Sequence, residues 1–168
     1  MEQFTLKKLA LADAMIFALH ANNRSIWLNL TDRFPHPYTI ENAQDFIQLT
    51  LVPKPTQVLG IYIEEEPIGA IGLHPMEDVF RKSMELGYWV AEPYWGKGIM
   101  SRAISLMVAY GFENFDINRV FARPFGRNIG SIKVLEKNGF VLEAKLSNTV
   151  FKDDKYEDEL IYGIRRVI

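Results

Sequence analysis

The chain has 168 residues, 48% of them apolar and 24% charged, with a formal net charge of -2 and a pI near 5.9. That composition supports one hydrophobic core, argues against disorder, and gives no electrostatic footprint for nucleic acid. The absence of cysteine excludes disulfides, thiolate nucleophiles and cysteine-ligated zinc. The start, Met1-Glu2-Gln3-Phe4-Thr5, lacks the basic-then-apolar pattern of a signal peptide, and no apolar run approaches the length of a membrane span. The expectation is a single cytoplasmic domain over residues 1–168, with neither nucleic acid nor membrane as partner, and monomeric or homodimeric.

Phe4, Leu6 and Leu9, interleaved with polar residues, predict an opening strand, and Ala12-Asp13 begin a helix that runs to about His20. Trp27, Leu28 and Leu30 have helical spacing, whereas Phe34-Pro35-His36-Pro37-Tyr38 is loop. Thr39 is the N-cap expected of a helix ending near Leu51, with Asn42 where a capping box prefers Glu. Val58 to Ile63 reads as a strand, Glu64-Glu65-Glu66-Pro67 as its turn and Ile68 to Leu73 as the return. His74-Pro75 breaks that pattern, and Lys82 to Val90 resumes it. A helix is predicted from Arg102 to Phe115 and a short strand from Arg119 to Arg123. A second helix then follows, capped by Asn128 and stopped by Gly139. Phe140 to Ala144 and Val150 to Ile164 read as closing strands around the aspartate-rich run Asp153-Asp154-Lys155. This order predicts an α/β (α+β) fold, with a mixed, mostly antiparallel sheet of six to seven strands flanked by helices on both faces.

Between the third strand of the meander and its helix lies Ala91-Glu92-Pro93-Tyr94-Trp95-Gly96-Lys97-Gly98-Ile99-Met100-Ser101. Two glycines one residue apart at the mouth of a helix let several N–H groups converge on one point. The unpaired amides and the helix dipole both favour an anion there, and Lys97 adds a cation. A phosphate cradle is the reading that follows.

These residues, with Glu85 to Val90 before them and with Asn128-Ile129-Gly130-Ser131 and Glu136-Lys137-Asn138-Gly139-Phe140 after, resemble the GCN5-related N-acetyltransferases (GNAT), most closely their RimJ/RimL-like branch. The resemblance covers nearly the whole chain. It implies an acetyl-CoA-dependent N-acetyltransferase that transfers the acetyl group to a primary amine by direct attack in a ternary complex. The acceptor would be a protein N-terminus of the ribosomal-protein type or a small amine. It also implies that the backbone from Gly96 through Lys97, Gly98, Ile99, Met100 and Ser101 holds the coenzyme's diphosphate. The pantetheine arm would lie beside Trp89 and Val90 like an added strand, and Asn128 would hydrogen-bond that arm. Trp95 and Met100 depart from the family's acetyl-CoA motif, a departure that backbone-mediated binding tolerates.

Transfer to an amine requires a polarised thioester carbonyl, a route for the amine's proton and a proton for the departing thiolate. Glu85 reads either as the base, acting through water, or as a strand residue that is solvated or paired with Arg81 or Lys82. Ser131, three residues after Asn128, matches the RimL-type proton donor and equally reads as a helix-start serine bonding backbone. Many family members carry a tyrosine acid where this chain has Leu135. His74 and His36 are further candidates. Tyr38, Phe34, Trp27 and Phe80 line either an acceptor pocket or the core. No metal is expected, the nearest spacing being Asp32 with His36.

Two rival readings stand beside this one. An acyl-CoA-binding sensor would keep the cradle without catalysis, consistent with Leu135, Trp95 and Met100. A dinucleotide site would use the two glycines and Asp116, although Glu92 to Trp95 separate strand from glycines where such a turn is immediate.

Overall fold

The computed structural model describes residues 3–166. In chain order the elements are β1 (Thr5–Lys7), α1 (Ala14–Ala21), α2 (Arg24–Trp27), α3 (Ile40–Thr50), β2 (Val58–Ile63), β3 (Glu66–Pro75), β4 (Ser83–Val90), α4 (Ile99–Asn114), β5 (Arg119–Ala122), α5 (Ile129–Lys137), β6 (Val141–Lys152) and β7 (Lys155–Arg165). The strands form one seven-stranded mixed sheet of order β1-β2-β3-β4-β5-β7-β6. β4 and β5 are parallel, while the β1–β2, β2–β3, β5–β7 and β6–β7 pairs are antiparallel. The chain divides into two compact units, residues 3–72 with 88–103 and residues 73–87 with 104–166.

In the first unit, α1 directs Ala14, Phe17, Ala18 and Ala21 inward, and α3 directs Ala43 and Ile47. They meet Val58, Tyr62, Ala70 and Trp89 of the sheet in one apolar cluster. Phe17 is its centre, stacked 5.6 Å from Phe46 and edge-on to Trp89 at 5.0 Å. Thr39 caps α3 in a full capping box. Its hydroxyl accepts from the Asn42 amide at 3.2 Å, and the Asn42 side chain accepts from the Thr39 amide at 2.9 Å. Asn42 therefore serves where Glu was the expected residue.

Gly69 lies against the backbone of β4. A Cβ there would collide with the Trp89 carbonyl oxygen and come within 2.9 Å of Val90 Cα. Because both are main-chain atoms of a paired strand, neither can yield cheaply. Gly69→Ala is expected to destabilise the fold by about 1–3 kcal/mol. Thermal unfolding should show a melting temperature several degrees lower.

The β2–β3 turn is tighter than expected. Glu64 takes φ 52°, β3 already begins at Glu66, and Pro67 pairs with Tyr62. The ladder shifts register between Ile61 and Tyr62, and such a bulge accommodates a residue without an N–H. β3 also continues through His74-Pro75, which the sequence pattern placed outside the strand.

In the second unit, β6 runs on through Lys145 to Thr149, a stretch the alternation does not mark. It is the edge strand, exposed along most of its length, so hydrogen bonds to β7 rather than an apolar face define it. Its register shifts between Leu146 and Val150, where Asn148 has φ 54° and donates its amide to Asp158 Oδ1 at 3.1 Å. Asp153 and Asp154, at φ 52° and 58°, make the two-residue hairpin turn, and Lys155 already belongs to β7. Met84 and Leu86, Val120 and Ala122, and Leu160 and Tyr162 are buried on one face, where α5 contributes Leu135 and Glu136 accepts from the Tyr162 hydroxyl at 2.9 Å.

The alternate positions of β4 and β5 carry Ser83 and Glu85 beside Arg119 and Phe121. Arg119 and Arg165 both bind the Glu143 carboxylate, and together they hold its pKa below the usual carboxylate value, Arg119 contributing most. A depressed folded-state pKa stabilises above the unfolded value near 4.5, and that stability is lost as pH falls through the folded value. Glu143→Gln is therefore expected to flatten the decline of stability below about pH 4.5, as followed by denaturant midpoints across pH.

Candidate active site

β4 ends at Val90, and the chain then makes a single tight turn over Glu92 to Tyr94 before the two glycines. The turn is fixed at both ends. The Ala91 amide donates to the Ile68 carbonyl at 2.8 Å, and the Trp95 amide to the Glu92 carbonyl at 3.0 Å. The Trp95 indole N–H reaches back to the Val90 carbonyl at 2.7 Å. Trp95 therefore departs from the motif in side chain but ties the loop to the last residue of the strand.

Gly96 and Gly98 have φ 75° and 76°, a region that L side chains rarely adopt. A Cβ at either position would meet no atom within 4 Å, so both face open space. The Gly98 carbonyl accepts from the Arg102 amide at 3.3 Å, which makes Gly98 the residue from which α4 starts. Below it, Ile99 and Ser101 are buried and anchor the first turn. First-turn amides have no acceptor within a helix, and a 16-residue helix adds its dipole to theirs. A helix start of this kind is suited to a phosphate. Lys97 lies with its ammonium 4.9 Å over the Tyr94 ring.

Side chains from α1, β3 and the segment before α2 brace the loop. Asn23 donates to Glu92 Oε2 at 2.7 Å while its own Oδ1 caps α2 by accepting from the Ile26 amide at 3.1 Å. His20 meets Glu66 Oε1 at 2.6 Å and stands edge-on to Tyr94. The sequence carried no sign that Asn23, Glu92, His20 and Glu66 hold this loop, and only the capping propensity of Asn23 was a local signal for any of them.

Glu85, Asn128 and Ser131 belong to the second unit. The parallel ladder between β4 and β5 covers Ser83 to Glu85 against Arg119 to Phe121. Glu85 accepts from Arg123 at both carboxylate oxygens, at 3.0 and 3.1 Å. Arg123 also pairs with Glu159 at 3.4 Å, and Glu85 with Glu159 lifts the guanidinium pKa. The Glu85 partner is thus neither Arg81, which donates to the Asp78 carbonyl, nor Lys82, which pairs with Asp116. Asp116, the carboxylate a dinucleotide site would need, is engaged in that pair.

Asn128 is the N-cap of α5, its Oδ1 accepting from the Ser131 amide at 3.1 Å. Leu135 is fully buried, so α5 offers no acid at the position of the family's tyrosine. The His74 ring lies over β4, 3.4–3.6 Å from where a Cβ on Gly87 would sit. Desolvation lowers its pKa below 6.5, opposed by the charge of Glu85.

The aromatic candidates separate. Tyr38 and Phe34 join the core beside Phe17 and Trp89, Trp27 stacks on His36 at 5.6 Å, and Phe80 helps line a cavity of about 210 Å³ with Met76, Ser83, Arg119 and Phe121. Among the described residues no cluster of three or more His, Asp or Glu side chains is arranged to hold a metal, and no helix is long and apolar enough to cross a membrane.

Residues 3–141 match the family described as acetyltransferase (GNAT) domain. The chain is 31% identical over 153 residues to the uncharacterized N-acetyltransferase p20 of Bacillus licheniformis, covering 86% of this chain and 83% of that protein. It is 32% identical over 103 residues to the ribosomal-protein-serine acetyltransferase of Escherichia coli K12, covering 61% of this chain and 57% of that one. The chain thus spans little more than half the length of that relative. The structure of RimL, the ribosomal L7/L12 alpha-N-protein acetyltransferase in complex with coenzyme A, superposes with a TM-score of 0.85 over 98% of this chain and 95% of that one, at 20% identity.

Proposed function

Since this chain belongs to the GNAT acetyltransferases, we propose that it transfers the acetyl group of acetyl-CoA to a primary amine by direct attack in a ternary complex. The observation that carries this reading is the pair of left-handed glycines opening α4 above buried Ile99 and Ser101. The amides from Gly96 to Ser101 grip the diphosphate, and the arm runs beside Trp89 and Val90. A main-chain N–H near Val90 polarises the thioester carbonyl. Asn128 bonds the arm and Ser131 supplies a proton to the thiolate. Glu85 contributes a carboxylate charge on the strand that precedes the cradle.

The acceptor is a protein N-terminus or a small amine, and the likeness to a ribosomal-protein-serine acetyltransferase favours the first. The test is release of CoA thiol from acetyl-CoA across N-terminal peptides beginning with serine or alanine, polyamines and aminoglycosides, beside calorimetric binding of CoA. Turnover on one class with saturable CoA binding is expected. The bidentate hold of Arg123 on Glu85 and the burial of Leu135 favour a second reading, an acyl-CoA sensor. CoA binding with no turnover on any acceptor would select it, and absence of CoA binding would overturn both.

A further inference from the structure

The strand pairing sets a histidine opposite Glu85. The Met76 amide donates to the Ser83 carbonyl at 3.1 Å, so stepping two residues along each antiparallel strand brings His74 of β3 across from Glu85 of β4. Residues paired in this way share a face, with Cβ atoms about 4.5–5.5 Å apart. Gly87, next on that face of β4, has no side chain, and the imidazole occupies the space above it. Glu85 is an unsuitable proton acceptor as it stands. Both of its oxygens are held by Arg123, and protonation would break a bidentate charged pair.

We propose that His74 is the group that accepts the proton of the acceptor amine, and that Glu85, fixed by Arg123, is a positioning residue that stabilises the imidazolium as it forms. This rests on the acetyl-transfer reading above. One ammonium proton passes to His74, directly or through one water. The amine lone pair then forms the N–C bond, the second nitrogen proton passes to solvent water, and the C–S bond breaks with its electron pair going to sulfur. The thiolate takes the Ser131 hydroxyl proton, which Ser131 regains from solvent, and His74 returns its own proton to solvent, so one proton is released per turnover.

The arrangement fits the electrostatics. Desolvation keeps His74 neutral near pH 7, so it is free to accept, and Glu85 limits how far its basicity falls. Charged groups bear on it from Glu85 on β4 and, through that carboxylate, from Arg123 just after β5 and Glu159 on β7. On its own stretch of chain the nearest titratable neighbour is Glu77. His74 is exposed, so water can reach it.

The experiment compares His74→Gln and Glu85→Gln with the parent protein. kcat/KM is followed across pH, CoA affinity by calorimetry, and the His74 imidazole by NMR titration without substrate. His74→Gln should lower kcat about 10²-fold, leave the CoA Kd within about twofold, and abolish the acid limb of the profile. Glu85→Gln should keep an acid limb displaced to lower pH, because the carboxylate raises the His74 pKa, and the NMR titration should move the same way. An acid limb that survives in His74→Gln but vanishes in Glu85→Gln overturns the assignment and makes Glu85 the base. Turnover on no amine would instead overturn the acetyl-transfer reading, and the proposal with it.

Discussion

Gly98→Asn is expected to leave the fold at nearly full stability while weakening CoA binding at least tenfold. Gly98 has φ 76°, and asparagine is the side-chain-bearing residue that visits this region at least cost, whereas alanine there costs about 1–2 kcal/mol. A Cβ at this position meets no protein atom within 4 Å. The new side chain therefore points into open space at the helix mouth, where the diphosphate is proposed to sit. Tenfold corresponds to about 1.4 kcal/mol, the loss of roughly one good amide-to-phosphate contact. Thermal unfolding and calorimetry on the same sample separate the two effects. Gly98→Ala should lose both stability and affinity, which exposes the backbone component. Wild-type affinity in the asparagine variant would move the anion site away from the start of α4.

Phe17→Ala has the largest expected effect on stability, about 3–5 kcal/mol. The ring is fully buried, stacked on Phe46 and edge-on to Trp89, with Tyr38 6.4 Å away. Its removal deletes both the transfer free energy of a phenyl group and the aromatic contacts that fix three other rings. For a chain of this size the melting temperature should fall on the order of 10 °C. Leu19→Ala, at a site on the same helix that is 71% exposed, should change stability by no more than about 0.5 kcal/mol. That contrast separates burial from helix propensity. Trp89 also belongs to the strand end proposed to guide the pantetheine arm, so Phe17→Ala should weaken CoA binding as well, without touching the cradle. Equal destabilisation by the two variants would contradict the packing described for α1.

The sequence by itself determined what acts over a few residues. Apolar periodicity specified six to seven strands and the main helices in their right order, the capping residues Thr39 and Asn128 set helix starts, and Gly96, Gly98 and Gly139 marked positive-φ positions. Each of these signals arises from the local backbone: a repeat of two or 3.6 residues, a cap reaching three residues on, or a φ that only a residue without Cβ enters freely. The extent of β6 escaped because an exposed edge strand carries no one-sided apolar pattern. The polar constellation escaped for a different reason. Arg123 and Glu85 are 38 residues apart, His20 and Glu66 are 46 apart, and Asn23 and Glu92 are 69 apart. Whether such pairs meet depends on strand order and register, and a slip of one residue would turn every side chain of a strand to the other face. Only the folded sheet decided that Glu85 lies between an arginine and a histidine, because the bonds that set its register are made by other strands.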